Sequence, residues 1–349
     1  MNYAIGYQLP EPGESPFADL VAAYREHVAE VYFPWVHSAS GRADLTRRRG
    51  YVDWAGQGRL EDDLRAIKAM GVGLDLLLNA NCYGGRAISE HLRNEVASVL
   101  DHLGEAVGGV DAVTTPSPMI AHVIKTHFPE IHVRASVNMR IGTVAGMSHH
   151  ADLFDSFYIQ RDYNRDLDHV RRLKRWADAH GKDLLILANS GCLAFCSGQT
   201  FHDNLVAHEA DVDEMRNITG FSPMVCRRLL ADRANWPLIL QATWIRPEDA
   251  HRYEGLIPVM KLATRMHAHP RLVLDAYARG RYRGNLLDLM EPGYGPLLAP
   301  YVIDATRLGD DWFDRTSTCG RRCEDCTYCR DVLEGALVEM PAGVSGTHR

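Results

Sequence analysis

The sequence predicts a TIM-like (β/α)8 barrel carrying a small Cys-rich C-terminal extension. Three observations lead there. Short β-like runs alternate with helical patterns, about eight such units follow one another, and the texture changes after residue 290 to a Pro- and Gly-marked connection and a compact cysteine segment. The candidate strands are Tyr3–Tyr7, Glu30–Trp35, Gly73–Leu78, Val110–Thr114, Ile131–Ala135, Phe154–Ile159, Asp183–Leu187, Leu238–Gln241 and Leu256–Lys261, nine for eight places.

Between them, Leu60–Met70 repeats apolar residues at helical spacing and stops at Gly71, a natural C-cap. In Ile88–Leu103, the residues Ile88, Leu92, Val96, Val99, Leu100 and Leu103 form one apolar stripe opposite Glu90, Arg93 and Glu95. Leu167–His180 ends at Gly181 in the same way. An open doubly wound sheet is the alternative, but no Gly-x-Gly-x-x-Gly turn follows the first strand. The barrel is expected over residues 1–290, with its site at the C-terminal ends of the strands, and the extension and a weakly structured tail over 291–349.

The 349 residues carry 46% apolar and 24% charged side chains, ordinary for a soluble globular protein, and contain no membrane-length apolar stretch. The formal charge of −7, from 38 Lys and Arg against 45 Asp and Glu, argues against a general polyanion-coating surface, although it leaves an RNA substrate open. The opening MNYAIGYQLPEPGESP has no basic segment followed by an apolar core, and a cytoplasmic protein is expected.

In a reducing compartment, eight cysteines read as metal ligands or catalytic thiols rather than as disulfides. Cys319, Cys323, Cys326 and Cys329 fall within eleven residues, a spacing that wraps several sulfurs round one centre, either an iron–sulfur cluster or, alternatively, tetrahedral zinc. The Cys-x3-Cys-x2-Cys part also looks like the radical S-adenosylmethionine signature, but it lies late in the chain and Cys329 follows at once as a fourth ligand. Cys192 and Cys196 directly follow a predicted strand, as does Cys82, and Cys226 lies further along the crossover. Four barrel and four tail cysteines suggest two ligand sets, though a single cysteine is often only a small buried hydrophobe.

The segment Ser190-Gly191-Cys192-Leu193-Ala194-Phe195 with Ser197-Gly198, followed by Cys226-Arg227, resembles the U32 collagenase-like peptidase family. Tyr158–Asp162, Lys261–Arg265 and Tyr282–Leu286 look like further family segments, so the resemblance spans roughly Leu74 to Asp288. The chain departs from the pattern: the second cysteine after Ser-Gly is missing, Cys196 comes earlier, Ala263 replaces a glutamate, and no cysteine falls near Ala242–Trp244. Cys82 or a tail cysteine would then complete the set. The resemblance implies an α/β barrel with one or two 4Fe-4S clusters. It also implies oxygen-independent hydroxylation or related redox chemistry on a small molecule or modified biopolymer, in some branches with prephenate as oxygen donor. The alternatives are a U32-type peptidase, or an electron-transfer or scaffold subunit working with a partner protein.

Among polar residues at expected strand ends, Asn138, Arg161, Gln241, Lys261 and Arg265 are the substrate-binding candidates, with Asn79 and Asn189 beside them. Arg and Lys there would clamp the carboxylate of a prephenate-like donor. His149-His150 and His267-x-His269 fit surface or packing roles, because no His-Glu-x-x-His helix is present. His202 and His208-Glu209, in the loop after Cys196, could meet substrate, and Cys192 with His202 is the conceivable thiol-protease pair. No Gly-x-Ser-x-Gly elbow occurs.

Overall fold

In the computed structural model, which describes residues 1–36, 41 and 53–341, eight parallel strands close into a barrel. They are β1 (Asn2–Gly6), β2 (Val28–Pro34), β3 (Gly73–Leu77), β4 (Ala112–Thr115), β5 (His132–Ala135), β6 (Ser156–Tyr158), β7 (Asp183–Leu187) and β8 (Val259–Lys261). Closure runs through the pairing of β1 with β8, Tyr3 opposite Met260. The tail from residue 342 lies outside the described residues.

Eight of the nine candidate strands fall on barrel strands; Leu238–Gln241 does not. It is the helical turn Pro237–Leu240, opened by a proline at its first position and followed by Gln241 in helical conformation. A short, wholly apolar run carries no periodicity that distinguishes a buried helix from a buried strand. Ile88 also leaves the stripe assigned to it. Ser89 caps the helix Glu90–Val107 by accepting from Leu92 N, so Ile88 precedes the helix and is 89% exposed.

Period-two alternation sorts each strand's residues between two environments. Val31 and Phe33, Leu74 and Leu76, Val113, Val133, Phe157, Leu184 and Ile186 pack outward in the main core, against helices such as Trp54–Ala69, Glu90–Val107 and Leu167–Ala179. The opposite faces turn inward, and there the barrel is unusually polar, with Glu30, Asp75, Thr114 and Lys261 all buried. Arg134 lies 2.6 Å from Glu30 and 3.7 Å from Asp75, whose carboxylate accepts from Thr114 Oγ1 at 2.8 Å. Buried charges are costly unless paired, and this cluster pairs them.

The connection from β7 to β8 is the longest in the barrel and carries Cys192, Cys196 and Cys226. Its Trp236, Ile239 and Trp244 form a second core with Leu298, Trp312 and Leu333 from the C-terminal part. There β9 (Tyr301–Ile303) and β10 (Leu337–Glu339) pair antiparallel. The Cys-rich segment is therefore packed against the crossover.

Candidate active site at the barrel mouth

Arg161, Lys261 and Arg265 line one cavity at the C-terminal mouth, with about 690 Å³ of empty space and with Asn79, Asn138 and Tyr158 also in its wall. Four of the five substrate-binding candidates meet there. The fifth, Gln241, lines a separate pocket beside the tail cysteines, because its segment is helix rather than a barrel strand.

Lys261 ends β8 and is 9% exposed, with Nζ 3.7 Å from the centroid of the Tyr32 ring and 5.0 Å from that of Tyr158. Burial lowers its amine to about 8, against the opposing pull of Asp75 and Glu30 and with the help of Arg134 and Arg265. Burial likewise raises Tyr158, so its hydroxyl stays protonated. Asn189 serves the architecture instead. Its amide joins Ala263 to the carbonyl of Leu289 and so ties the β8 end to the C-terminal part. His267 is buried, with its Nδ1 accepting from His269 N, a packing role.

Arg161 joins the cavity to the thiols. Buried, it donates through Nη1 to Ser190 Oγ at 3.1 Å and to Cys192 Sγ at 3.2 Å. Gly191 allows the approach beneath it, since a Cβ there would stand 2.2 Å from the Pro292 carbonyl oxygen. Phe195 adopts a left-handed φ of 51° and donates its N–H to buried Asp162, turning the chain between Cys192 and Cys196. Cys192, Cys196 and Cys226 share one neighbourhood around Tyr294: burial pushes the Cys196 thiol up, with the Gly198 N–H opposing and the charges of Cys192 and Cys226 adding, and the Tyr294 hydroxyl donates to the Gly191 carbonyl at 2.8 Å.

Cys82 is placed differently, in a turn that lies against His208 and accepting from Gly84 N at 3.4 Å. The His208 hydrogen bond, helped by Gly84, lowers its thiol, and the same bond raises His208.

Four residues beyond Arg161, Arg165 faces the tail thiols. Its guanidinium lies 5.4 Å from the ring centroids of both Trp244 and Trp312 and lines a pocket with Cys319, Cys323 and Cys329. Burial pushes Cys329 up to about 11, with Arg165 opposing and Cys323, Cys319 and Cys326 adding. Among the described residues, no three His, Cys, Asp or Glu side chains are drawn together tightly enough to hold a metal ion. The donor chemistry nevertheless fits an anionic thiolate centre, because mutually repelling thiols adjoin Arg165, whose buried Nη1 has no hydrogen-bond partner.

Sequence reasoning missed the barrel's inner charges and Arg165. Asp75 interrupting Leu74–Leu78, and Glu30 alternating with Val31, were the available signals.

The U32 peptidase Mk0906 shares this fold, with a TM-score of 0.52, 17% identity, and coverage of 75% of this chain and 92% of that one. The barrel is similar in fold to that U32 peptidase. An uncharacterized protease of Methanocaldococcus jannaschii is 24% identical over 300 residues, 82% of this chain and 87% of its own length. No family model matches. The segments that carried the U32 resemblance include the mouth residues Arg161, Lys261 and Arg265 and the thiols Cys192 and Cys226. Among the described residues, no helix is long and apolar enough to cross a membrane.

Proposed function

We propose that this chain is an iron–sulfur enzyme of the U32 type, performing oxygen-independent hydroxylation or related redox chemistry on an anionic small molecule or modified biopolymer. The observation that carries this reading is that Arg161 belongs at once to a three-cation cavity and to the Cys192 thiol. In this reading Cys192, Cys196 and Cys226 hold one 4Fe-4S cluster, with its fourth position left to another donor, and Cys319, Cys323, Cys326 and Cys329 hold a second centre, iron–sulfur or zinc. A cluster supplies electrons singly at a potential tuned by its hydrogen bonds and exposure. The protein's own part is to bind and orient. Arg161 and Arg265 clamp the carboxylate of a prephenate-like donor, Lys261 holds or releases a proton near neutral pH, and the barrel walls restrict water.

Anaerobic purification with iron, sulfide and zinc analysis tests this. Iron and sulfide near eight per chain are expected, falling to about four when Cys319, Cys323, Cys326 and Cys329 become Ala. Zinc alone, or no metal, would overturn the redox reading. It would leave peptide hydrolysis, the activity in the name of the Methanocaldococcus relative, as the better account.

A further inference from the structure

We propose that the amine of Lys261 is a nucleophile that holds a small 2-oxo acid at the barrel mouth as an imine, with Arg161 and Arg265 taking the acid's carboxylate. The inference rests on the reading of that cavity as an anion site and needs no metal centre. Of the five lysines in the chain, Lys261 alone is buried; Lys68, Lys125, Lys174 and Lys182 are all partly exposed. β8 ends on Lys261, paired there with Ala4 of β1 and Leu187 of β7, so barrel closure fixes the side chain in the cavity wall.

A buried ammonium ordinarily needs a carboxylate partner, and here that place is taken. Glu30 and Asp75, carboxylates of the barrel interior, lie 2.6 Å and 3.7 Å from Arg134, and Asp75 also accepts from Thr114 Oγ1. Among the described residues no carboxylate stands within ion-pair distance of Lys261 Nζ, which instead lies 3.7 Å from the centroid of the Tyr32 ring. Desolvation outweighs the pull of Asp75 and Glu30 and brings the amine down to about 8, so roughly a tenth of it is unprotonated at pH 7. An uncharged amine facing a cavity is the form that attacks a carbonyl carbon.

The neighbours divide the remaining tasks. Tyr32 is committed, its hydroxyl donating to the Leu262 carbonyl at 2.7 Å and accepting from Thr264 N at 3.2 Å, so its ring is a fixed wall. Tyr158, whose ring centroid is 5.0 Å from Nζ, keeps its proton through burial and lines the same cavity, which puts an acid beside the amine. Arg161 and Arg265 present planar donor forks in the same walls, matched by a carboxylate next to the reacting carbonyl and unmatched by a simple ketone.

The step balances without an oxidant or reductant. The neutral Lys261 nitrogen adds to the keto carbon, a C–N bond forms, and the carbonyl oxygen becomes a hydroxyl as it takes a proton from that nitrogen. The nitrogen lone pair then expels the hydroxyl, which leaves as water with a proton from Tyr158, and solvent reprotonates the phenolate.

The test uses the full chain, purified anaerobically, with pyruvate and sodium cyanoborohydride at pH 7, the adduct being located by peptide mass spectrometry. One reduced pyruvyl group should form on Lys261 at least about 10-fold faster than on Lys68, Lys125, Lys174 or Lys182, which are internal controls and require no substitution. With acetone, in which a methyl replaces the carboxylate, this preference over the other lysines should fall about 10-fold, and Arg265→Gln should lower it similarly for pyruvate. Calorimetry without the reductant measures pyruvate binding separately. Labelling of Lys261 no faster than of the other lysines, in protein that binds pyruvate, would overturn the imine and leave the anion cavity standing. Neither binding nor labelling would remove both, while iron and sulfide analysis of the same sample reports on the cluster independently. An undiminished preference with acetone would strike out the 2-oxo acid.

Discussion

Arg161 Nη1 lies 3.2 Å from Cys192 Sγ, so one buried guanidinium belongs both to the wall of the mouth cavity and to the neighbourhood of the barrel thiols. The same side chain also lines the cavity, where its fork of donors suits an anionic group. Arg165 donates to the Leu240 and Ala242 carbonyls and lines a pocket with Cys319, Cys323 and Cys329, so a stretch of five residues after β6 reaches both sets of cysteines.

Lys261 should titrate far below an ordinary lysine. Competitive acetylation followed by mass spectrometry is expected to give a midpoint near 8 for its amine. The linkage has a definite sign: between about 8 and the usual 10.5 the unfolded chain holds a proton that the folded chain has released, so this group's contribution to stability rises with pH across that window. Below it, the cost of the buried charge is borne in full. Urea unfolding of wild type and Lys261→Met at several pH values should show the difference between them changing in that window; a midpoint near 10.5 would contradict the burial argument.

Replacing Arg134 by Met leaves Glu30 and Asp75 buried without their cation and should cost about 3–5 kcal/mol. Chemical denaturation measures it. Adding Glu30→Gln should recover part of the loss, because one of the stranded charges is then gone.

Gly191→Ala forces a methyl against the Pro292 carbonyl oxygen, which must move. A cost of about 1–3 kcal/mol is expected, as for other overpacked sites. The displaced turn carries Cys192, so thermal melts should fall together with iron bound; unchanged iron would show that the turn tolerates the shift.

Trp312→Ala should cost about 3–5 kcal/mol, since the ring is fully buried, stacks on Trp244 at 5.7 Å and covers Arg165. Under the proposed iron–sulfur reading, metal analysis should show loss at the tail centre alone, with the barrel centre retained.

The sequence by itself determined the parallel barrel and the Cys-rich segment, because both are written in local order. Period-two and period-3.6 patterns alternate through most of the sequence, and the tail thiols are neighbours in sequence. It also picked out Arg161, Lys261 and Arg265, since residues at strand ends are carried to one rim by any closed barrel. Where the pattern was short it failed: Leu238–Gln241 was apolar enough for a strand, and only packing against Trp312 and Leu333 makes it a helical turn. Tertiary structure alone decided the pairings. The grouping of Cys192, Cys196 and Cys226 round Tyr294, the separation of Cys82 to His208, and the salt bridge from Arg134 to Glu30 across 104 residues depend on barrel closure and on the path of one long crossover. Contacts at such separations follow from how strands register around a ring, which no local spacing encodes.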